Sequence, residues 1–368
     1  MKFSRWSEPV QRRSGDSHAL RNQFDWGLRN CRNGAHAATG LGEVGRLARG
    51  LVPAYVERLT GRADCGGRTT LHWLQRVLFA TVLALFFVTA TNAQEGDKLR
   101  IIVFGAHPDD AEFKAGGTAA KWARQGHAVK LVSVTNGDIG HWNQAGGPLA
   151  LRRAAEAKAA AEKLGVTSQV LDIHDGELVP SLEYRRMITR VIREWKADIV
   201  IAHRPWDYHP DHRYVGVLVQ DAAFMVTVPY ICPDVPPLKK NPVFLYSSDG
   251  FQKPYPFQPD IVVSLDDIFD QKLAGLHELE SQVYEGGASG SAEFVATVPP
   301  ASTPDARRQW LRRRWEERQG REAQKYRDVL VKWYGEEKGQ AVKYAEAFEI
   351  CEYGRRPTTE ELKKLFPF

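Results

Sequence analysis

From Leu99 onwards, short apolar runs alternate with longer segments of helical periodicity, and this alternation restricts the possible folds more than any other feature of the sequence. Strand-helix-strand units of this kind build a mostly parallel sheet with helices packed on its faces. We predict strands at 99–104, 129–135, 169–173 and 198–202, and helices at 111–125, 149–164 and 182–195. The fold class is therefore α/β.

The second half of the chain is less regular. Beyond Phe224 it is rich in proline, which indicates long loops around short edge strands. We predict a strand at 261–265, a helix at 267–284 and a mobile Gly/Ser loop at 286–291. A charged helix at 304–333 is most simply explained as a solvated face.

The chain carries a long segment before this pattern. Residues 1–70 show no periodicity, and we expect an unpatterned leader there. A non-Met start codon near Leu71, which would leave this leader untranslated, would explain it. Basic residues then precede the apolar run 77–90, and small residues follow it, as in a secretory signal peptide. We predict a signal peptide at 71–93 and the folded domain at 94–368. An uncleaved N-terminal anchor through 77–90 is the alternative; either way the domain is expected to be exported, to the periplasm or the extracellular space.

Composition excludes several classes of protein. The four cysteines contain no Cys-x-x-Cys pair, so neither a disulfide scaffold nor a cysteine zinc module is expected. The net charge of +5 is too small to indicate a nucleic-acid partner.

Two clusters of histidine and aspartate follow predicted strands. The first strand leads into Ala106-His107-Pro108-Asp109-Asp110, and strand 198–202 leads into His203 and then Asp207-Tyr208-His209-Pro210-Asp211-His212. Ligands of open α/β sheets bind at the carboxyl ends of the strands. We therefore expect a metal site at that edge.

Two imidazoles and one carboxylate around an open position form the ligand set of a catalytic zinc ion. His107, Asp110 and His212 can supply it for one Zn²⁺ per chain, although such a site also accepts other divalent metals. Asp109 could then accept a proton from the activated water as a general base. His209 could stabilise an oxyanion or donate a proton, with Asp211 holding its tautomer and charge. This division of roles describes amide hydrolysis.

Taken together, these motifs resemble the LmbE-like (PIG-L) family of zinc-dependent de-N-acetylases. The resemblance is carried by the two clusters above and by Gly116-Gly117-Thr118, Thr135-Asn136-Gly137-Asp138, His277 with Ser281-Gln282, and Tyr344-Ala345-Glu346-Ala347-Phe348. It implies a Rossmann-like fold and hydrolysis of an acetamide, typically on an N-acetylglucosamine unit. It also implies His107, Asp110 and His212 as zinc ligands, Asp109 as base and His209 as oxyanion stabiliser.

Other functions stay open at this point. The resemblance also allows an amidase that acts on a larger amide, such as a thiol conjugate. A non-catalytic carbohydrate-binding module would need neither Asp109 nor His209, and a dehydrogenase would need a Gly-x-Gly-x-x-Gly turn after the first strand, which is missing. The expected partner is a small molecule or glycan with an N-acetylated sugar; membrane contact is expected only if segment 77–90 remains as an anchor.

Several further residues have two possible interpretations. Arg204 and Trp206 could bind a phosphate and stack on a sugar ring, or simply pack their loop. Asn136 and Asp138 could bind sugar hydroxyls, although they also suit a turn. Glu112 could orient a metal ligand.

Overall fold

The computed structural model describes residues 98–368; the predicted leader and signal segment lie outside the described residues. Its strands form one sheet in the order β3-β2-β1-β4-β5-β7-β6. The strands are β1 (Arg100–Gly105), β2 (Ala128–Ser133), β3 (Thr167–Val170), β4 (Ile199–Ala202), β5 (Val243–Ser247), β6 (Ile261–Ser264) and β7 (Ala345–Ile350).

Helices pack on both faces of this sheet. Those of the first half are α1 (Asp110–Arg124), α2 (Gly147–Leu164), α3 (Leu182–Trp195) and α4 (Pro210–Met225). Those of the second half are α5 (Phe269–His277), α6 (Glu280–Val283), α7 (Ala292–Ala296), α8 (Pro304–Lys325), α9 (Arg327–Tyr334), α10 (Glu336–Ala341) and α11 (Thr359–Leu365).

The sheet is parallel except for one strand. β1 pairs in parallel with β2 and β4, β2 with β3, and β4 with β5, whereas β7 runs antiparallel to both β5 and β6. Because both faces are covered, the central strands are apolar throughout: Ile101, Ile102 and Val103 are almost completely buried. The predicted α/β fold, Rossmann-like and mostly parallel, is confirmed.

The second half departs from the sequence predictions in four places. The proline-rich region contains the buried strand β5, and β7 was not predicted at all. The predicted helix 267–284 divides into α5 and α6 because the backbone of Leu279 leaves the helical region, with its side chain fully buried. The predicted helix 304–333 also divides into two, α8 and α9. The backbone of Tyr326 leaves the helical region between them, and its ring packs against Phe257.

Two further observations concern the residues that the structure describes. None of the helices between 98 and 368 has the length and apolar character that crossing a bilayer requires. Cys232 and Cys351 are both buried and both free thiols.

Candidate metal centre and active site

The two histidine-aspartate clusters meet where the strand order reverses. From β1 the chain proceeds to β2 and β3 on one side, and from β4 it proceeds to β5 on the other. β1 and β4 are direct neighbours, with Val103 opposite Ile201. Segments that follow these two strands therefore share one edge of the sheet, which is the usual ligand site of such folds.

Three of the predicted ligand atoms lie at nearly equal distances from one another. Nδ1 of His107 is 3.4 Å from Oδ2 of Asp110, Nε2 of His212 is 3.3 Å from the same oxygen, and the two nitrogens are 3.3 Å apart. Bonds of about 2.0–2.1 Å to a tetrahedral zinc ion place neighbouring ligand atoms about 3.3–3.4 Å apart. The donor set therefore fits a zinc ion held by three protein ligands.

The tight turn after β1 fixes the Asp110 carboxylate. Its Oδ2 accepts hydrogen bonds from the backbone N–H groups of Ala106 and His107, at 3.0 and 2.9 Å. Gly105 makes this turn possible, because a Cβ atom at that position would lie 2.6 Å from the Cβ of Asp110. A small residue at the strand end therefore lets the ligand approach the sheet edge.

A second layer of carboxylates orients the two imidazoles. Nε2 of His107 lies 3.0 Å from Oδ1 of Asp175 and 3.3 Å from Oδ2 of Asp211. Nδ1 of His212 lies 3.2 Å from Oδ1 of Asp207. Each ring thus turns one nitrogen towards the other ligands and the other nitrogen towards a carboxylate, as metal-bound histidines do in proteins.

The charges of this cluster shift the pKa values of its members strongly. Burial would raise the pKa of Asp110, but the adjacent His212 and His203 hold it well below its ordinary value. Burial would lower the pKa of His212, but Asp110 and Asp207 raise it to about 9. Protons and a metal cation therefore compete for the same nitrogen atoms.

Asp109 lies in the same cavity, beside the ligands. Its Oδ1 is 3.4 Å from Nη2 of Arg153, a residue of α2 that is 2% exposed. Arg153 is fixed in turn by a hydrogen bond of 3.2 Å to the carbonyl of Gly137. Burial raises the pKa of Asp109 and the charge of Arg153 opposes this, so the carboxylate is both positioned and basic enough to accept a proton.

His209 also lines the cavity, but its partner differs from the one predicted. The backbone N–H of Asp211 donates to its Nδ1 at 3.2 Å, so the proton of the neutral ring is on Nε2. The Asp211 carboxylate accepts instead from the N–H of Gly176, at 2.7 Å, and approaches His107. The prediction that this carboxylate holds the His209 tautomer is wrong: the backbone of Asp211 does so.

Three weaker predictions are resolved by hydrogen bonding. Arg204 is buried and donates to both oxygens of Asp249, so it packs its loop and leaves no free guanidinium edge for a phosphate. Asn136 donates to Asp172. Asp138 pairs with His174 and accepts from the N–H of Asp175, which places the Asp175 carboxylate.

Two other motif residues lie away from the chemistry. Glu112 is buried and makes no side-chain hydrogen bond to a ligand, and burial raises its pKa to about 8. His277 pairs with the hydroxyl of Tyr284 at 2.7 Å, whereas Gln282 of the same motif lines the cavity.

The cavity above the ligands has a volume of about 400 Å³. Its walls include the exposed ring of Tyr208, Gln282 and the glycine-rich turn 286–289. A cavity of this size suits a ligand as large as a sugar residue.

The sequence pattern of the family described as GlcNAc-PI de-N-acetylase (PIG-L) matches residues 102–223, which include every cluster residue discussed above. Diacetylchitobiose deacetylase of Thermococcus kodakarensis is 32% identical over 205 residues, which are 53% of this chain and 74% of that protein. The chain belongs to the PIG-L family.

Proteins that are similar to this chain carry the names of different reactions. 4-Oxalmesaconate hydratase of Pseudomonas putida is 26% identical over 189 residues, covering 49% of this chain and 73% of that protein. The crystal structure of N,N'-diacetylchitobiose deacetylase from Pyrococcus horikoshii superposes with a TM-score of 0.51 at 23% identity, covering 73% of this chain and 90% of that chain. The structural likeness supports the fold, and the reaction has to be argued from the site.

Proposed function

We propose that the protein is an exported, zinc-dependent hydrolase that removes an acetyl group from an N-acetylglucosamine-type sugar or sugar conjugate. The observation that carries the proposal is the equal spacing of the His107, Asp110 and His212 donor atoms beside Asp109 and His209. Membership of the PIG-L family and the likeness to a diacetylchitobiose deacetylase support the substrate class.

His107, Asp110 and His212 would hold the zinc ion. When bound, zinc supplies a Lewis acid that makes water a nucleophile near neutral pH. The carboxylates behind the two imidazoles keep the rings in place.

Asp109 acts as the general base. Its carboxylate takes a proton from the attacking water while the water oxygen forms a bond to the amide carbon. The raised pKa of Asp109, caused by burial, lets it carry this proton. The C–N bond breaks as the proton passes to the amide nitrogen, so that acetate and the free amine leave. Arg153 is the positioning residue for this carboxylate.

His209 stabilises the negative charge that develops on the amide oxygen. Burial, together with the adjacent His107 and His212 rings, lowers the pKa of His209, so the ring is neutral at neutral pH. Because Nδ1 accepts from the backbone of Asp211, the Nε2–H group is the available donor. Oxyanion stabilisation is therefore the role we assign to it.

Export is supported by the sequence alone. The apolar run 77–90, with basic residues before it and small residues after it, has the pattern of a signal peptide or of an N-terminal anchor. We propose a periplasmic or extracellular location, and fractionation of cells that express the whole chain tests it. Recovery of the protein in the cytoplasmic fraction would contradict the proposal.

The catalytic proposal is tested by measuring amine and acetate release from N-acetylglucosamine compounds with the zinc-loaded protein. Asp109→Asn should retain zinc and lose a factor of about 10²–10⁴ in kcat, because it removes the base and spares the ligands. Asp234→Asn is the matched control, since Asp234 pairs with Arg190 on the surface away from the cavity.

The outcomes separate the remaining alternatives. Release by the parent protein and by the control, but not by Asp109→Asn, supports the deacetylase. If zinc is bound at one per chain and no N-acetyl compound reacts, a larger amide or a carbohydrate-binding role replaces the proposal.

A further inference from the structure

A second cavity adjoins the candidate active site on the side of α8. Its volume is about 370 Å³, and it shares Phe113 and Gln282 with the metal-site cavity. Phe113 belongs to the first turn of α1, three residues after Asp110. The two cavities therefore meet at these two side chains.

Most of the wall of the second cavity is formed by α8. Side chains spaced four residues apart are neighbours on a helix surface. One such stripe of α8 is buried in the core and consists of Leu311, Trp315, Gln319 and Ala323. The adjacent stripe, Trp310, Arg314 and Arg318, lines the cavity together with Leu311, Trp315, Glu317 and Arg321. The charged helix that the sequence suggested was a solvated face thus turns part of its charge towards the active site.

Arg314 and Arg318, here called the stacked arginines, lie against aromatic rings. The guanidinium carbon of Arg314 is 4.7 Å from the ring centre of Trp310, and that of Arg318 is 4.8 Å from the ring centre of Trp315. Stacking holds the face of a guanidinium and leaves the N–H groups on its edge free to donate. Two planar cations are therefore held beside the cavity.

The stacked arginines lack the partners that their neighbours have. Arg312 pairs with Asp270, and Arg321, which also lines the cavity, pairs with Glu317. Throughout residues 98–368, neither stacked arginine forms an ion pair or a side-chain hydrogen bond. Glu322, one turn further along α8, attracts the charge of Arg318 without pairing with it, and within residues 98–368 the N–H groups of both guanidinium groups are without a hydrogen-bond partner.

Resting on the proposed deacetylase function, we propose that the stacked arginines bind an anionic group on the unit to which the N-acylated sugar is attached. A carboxylate or a phosphate ester matches the two parallel N–H donors of a guanidinium. The acetamide group occupies the metal centre in the proposed reaction, so the rest of the substrate has to lie in the adjoining space. An anionic substituent is therefore directed to the α8 side, while the acetamide group reaches Asp109.

The test compares three substrates with the zinc-loaded full chain. One is a neutral disaccharide of two N-acetylglucosamine units, one joins N-acetylglucosamine to a uronic acid, and one joins it to a sugar phosphate. We expect kcat/KM for at least one anionic compound to exceed that for the neutral one by about tenfold or more, since a hydrogen bond to a charged group contributes that much. Added salt should reduce this preference.

The variants identify the residues responsible. In Arg314→Gln/Arg318→Gln the ratio of anionic to neutral kcat/KM should fall towards one. Arg313→Gln removes one positive charge from an adjacent position of α8, which is exposed and does not line the cavity, and should keep the ratio. An equal ratio in the parent protein, or a preference retained in the double variant, overturns the inference.

A failure of the proposed function is distinguishable from a failure of this inference. If the neutral compound is deacetylated and the anionic ones are not preferred, the proposed function stands and the anion site is refuted. If no compound reacts, calorimetric titration of the same zinc-loaded protein with the two anionic compounds decides. Binding that is lost in the double variant and kept in Arg313→Gln supports the anion site, and the absence of that difference refutes it.

Discussion

The carboxylate of Asp175 offers a test of the metal centre that leaves all three ligands in place. Its Oδ1 lies 3.0 Å from Nε2 of His107, on the side of the ring opposite the other ligands. Burial would raise the pKa of Asp175, but the hydrogen bond with His107 and the charge of that residue lower it, so the group is ionised at neutral pH. Asp175→Asn keeps the size and an acceptor oxygen but removes the charge that holds the imidazole.

The expected loss of zinc affinity follows from these contacts. Removing an outer partner of a metal-bound histidine weakens metal binding by about 10–100-fold. The Asp211 carboxylate remains 3.3 Å from the same nitrogen, so we expect a loss of about tenfold, or about 1.4 kcal/mol. Asp175→Asn/Asp211→Asn should lose more than either single variant.

Competition with a chelator of known zinc affinity at constant pH measures the change. Asp172→Asn is the matched control, because Asp172 lies in the same segment and contacts Asn136 rather than an imidazole. Equal zinc affinity in the parent protein and in Asp175→Asn would refute the assignment of His107 as a ligand oriented by this carboxylate.

Three further predictions concern the metal and the core. His212→Ala should lose zinc as well as activity, and unchanged zinc content by elemental analysis would remove it from the ligand set. Zinc affinity should fall as the pH decreases below about 9. Asp110 and Asp207 raise the pKa of His212 to about 9 against the effect of burial, so a proton must leave the ring before the metal binds. Chelator competition in acidic and alkaline buffers measures the zinc affinity, and an affinity that does not change with pH would contradict the prediction. Lys272→Met should lower the free energy of unfolding by about 3–5 kcal/mol, because it leaves the buried Glu346 carboxylate without the ammonium group 2.5 Å away. Urea unfolding checks the last prediction, and Lys272→Met/Glu346→Gln should recover part of the loss.

The strands that the sequence predicts correctly are those whose side chains are buried on both faces of the sheet. β1 and β4 are covered on both faces, so their apolar runs are continuous and easily recognised. β7 is different: Glu346 points into the core from the strand, where it accepts hydrogen bonds from Lys272 and Thr118. A buried ion pair interrupts the apolar pattern, and the partner that compensates its charge is distant in the sequence.

The site shows the same division between local and long-range information. His107 and Asp110 are one helical turn apart and follow a strand, so their proximity can be predicted from the chain itself. Asp175 lies in the loop after β3, outside the two histidine-aspartate clusters, and only the arrangement of the sheet brings it to His107. Arg153 resembles any exposed arginine of an Ala-rich helix, and its burial beside Asp109 depends on how α2 packs.

The position of the family match along the chain suggests where substrate selectivity resides. All residues to which we assign chemistry lie between 102 and 223, the segment that matches the PIG-L family. The outer walls of the two cavities, with Gln282, the turn 286–289 and the stripe of α8, follow that segment in the chain. Substitutions in α8 should therefore change the ratio of kcat/KM between substrates while zinc affinity is unchanged. Substitutions of Asp109 should lower kcat for every substrate alike, because each amide needs the same proton transfer.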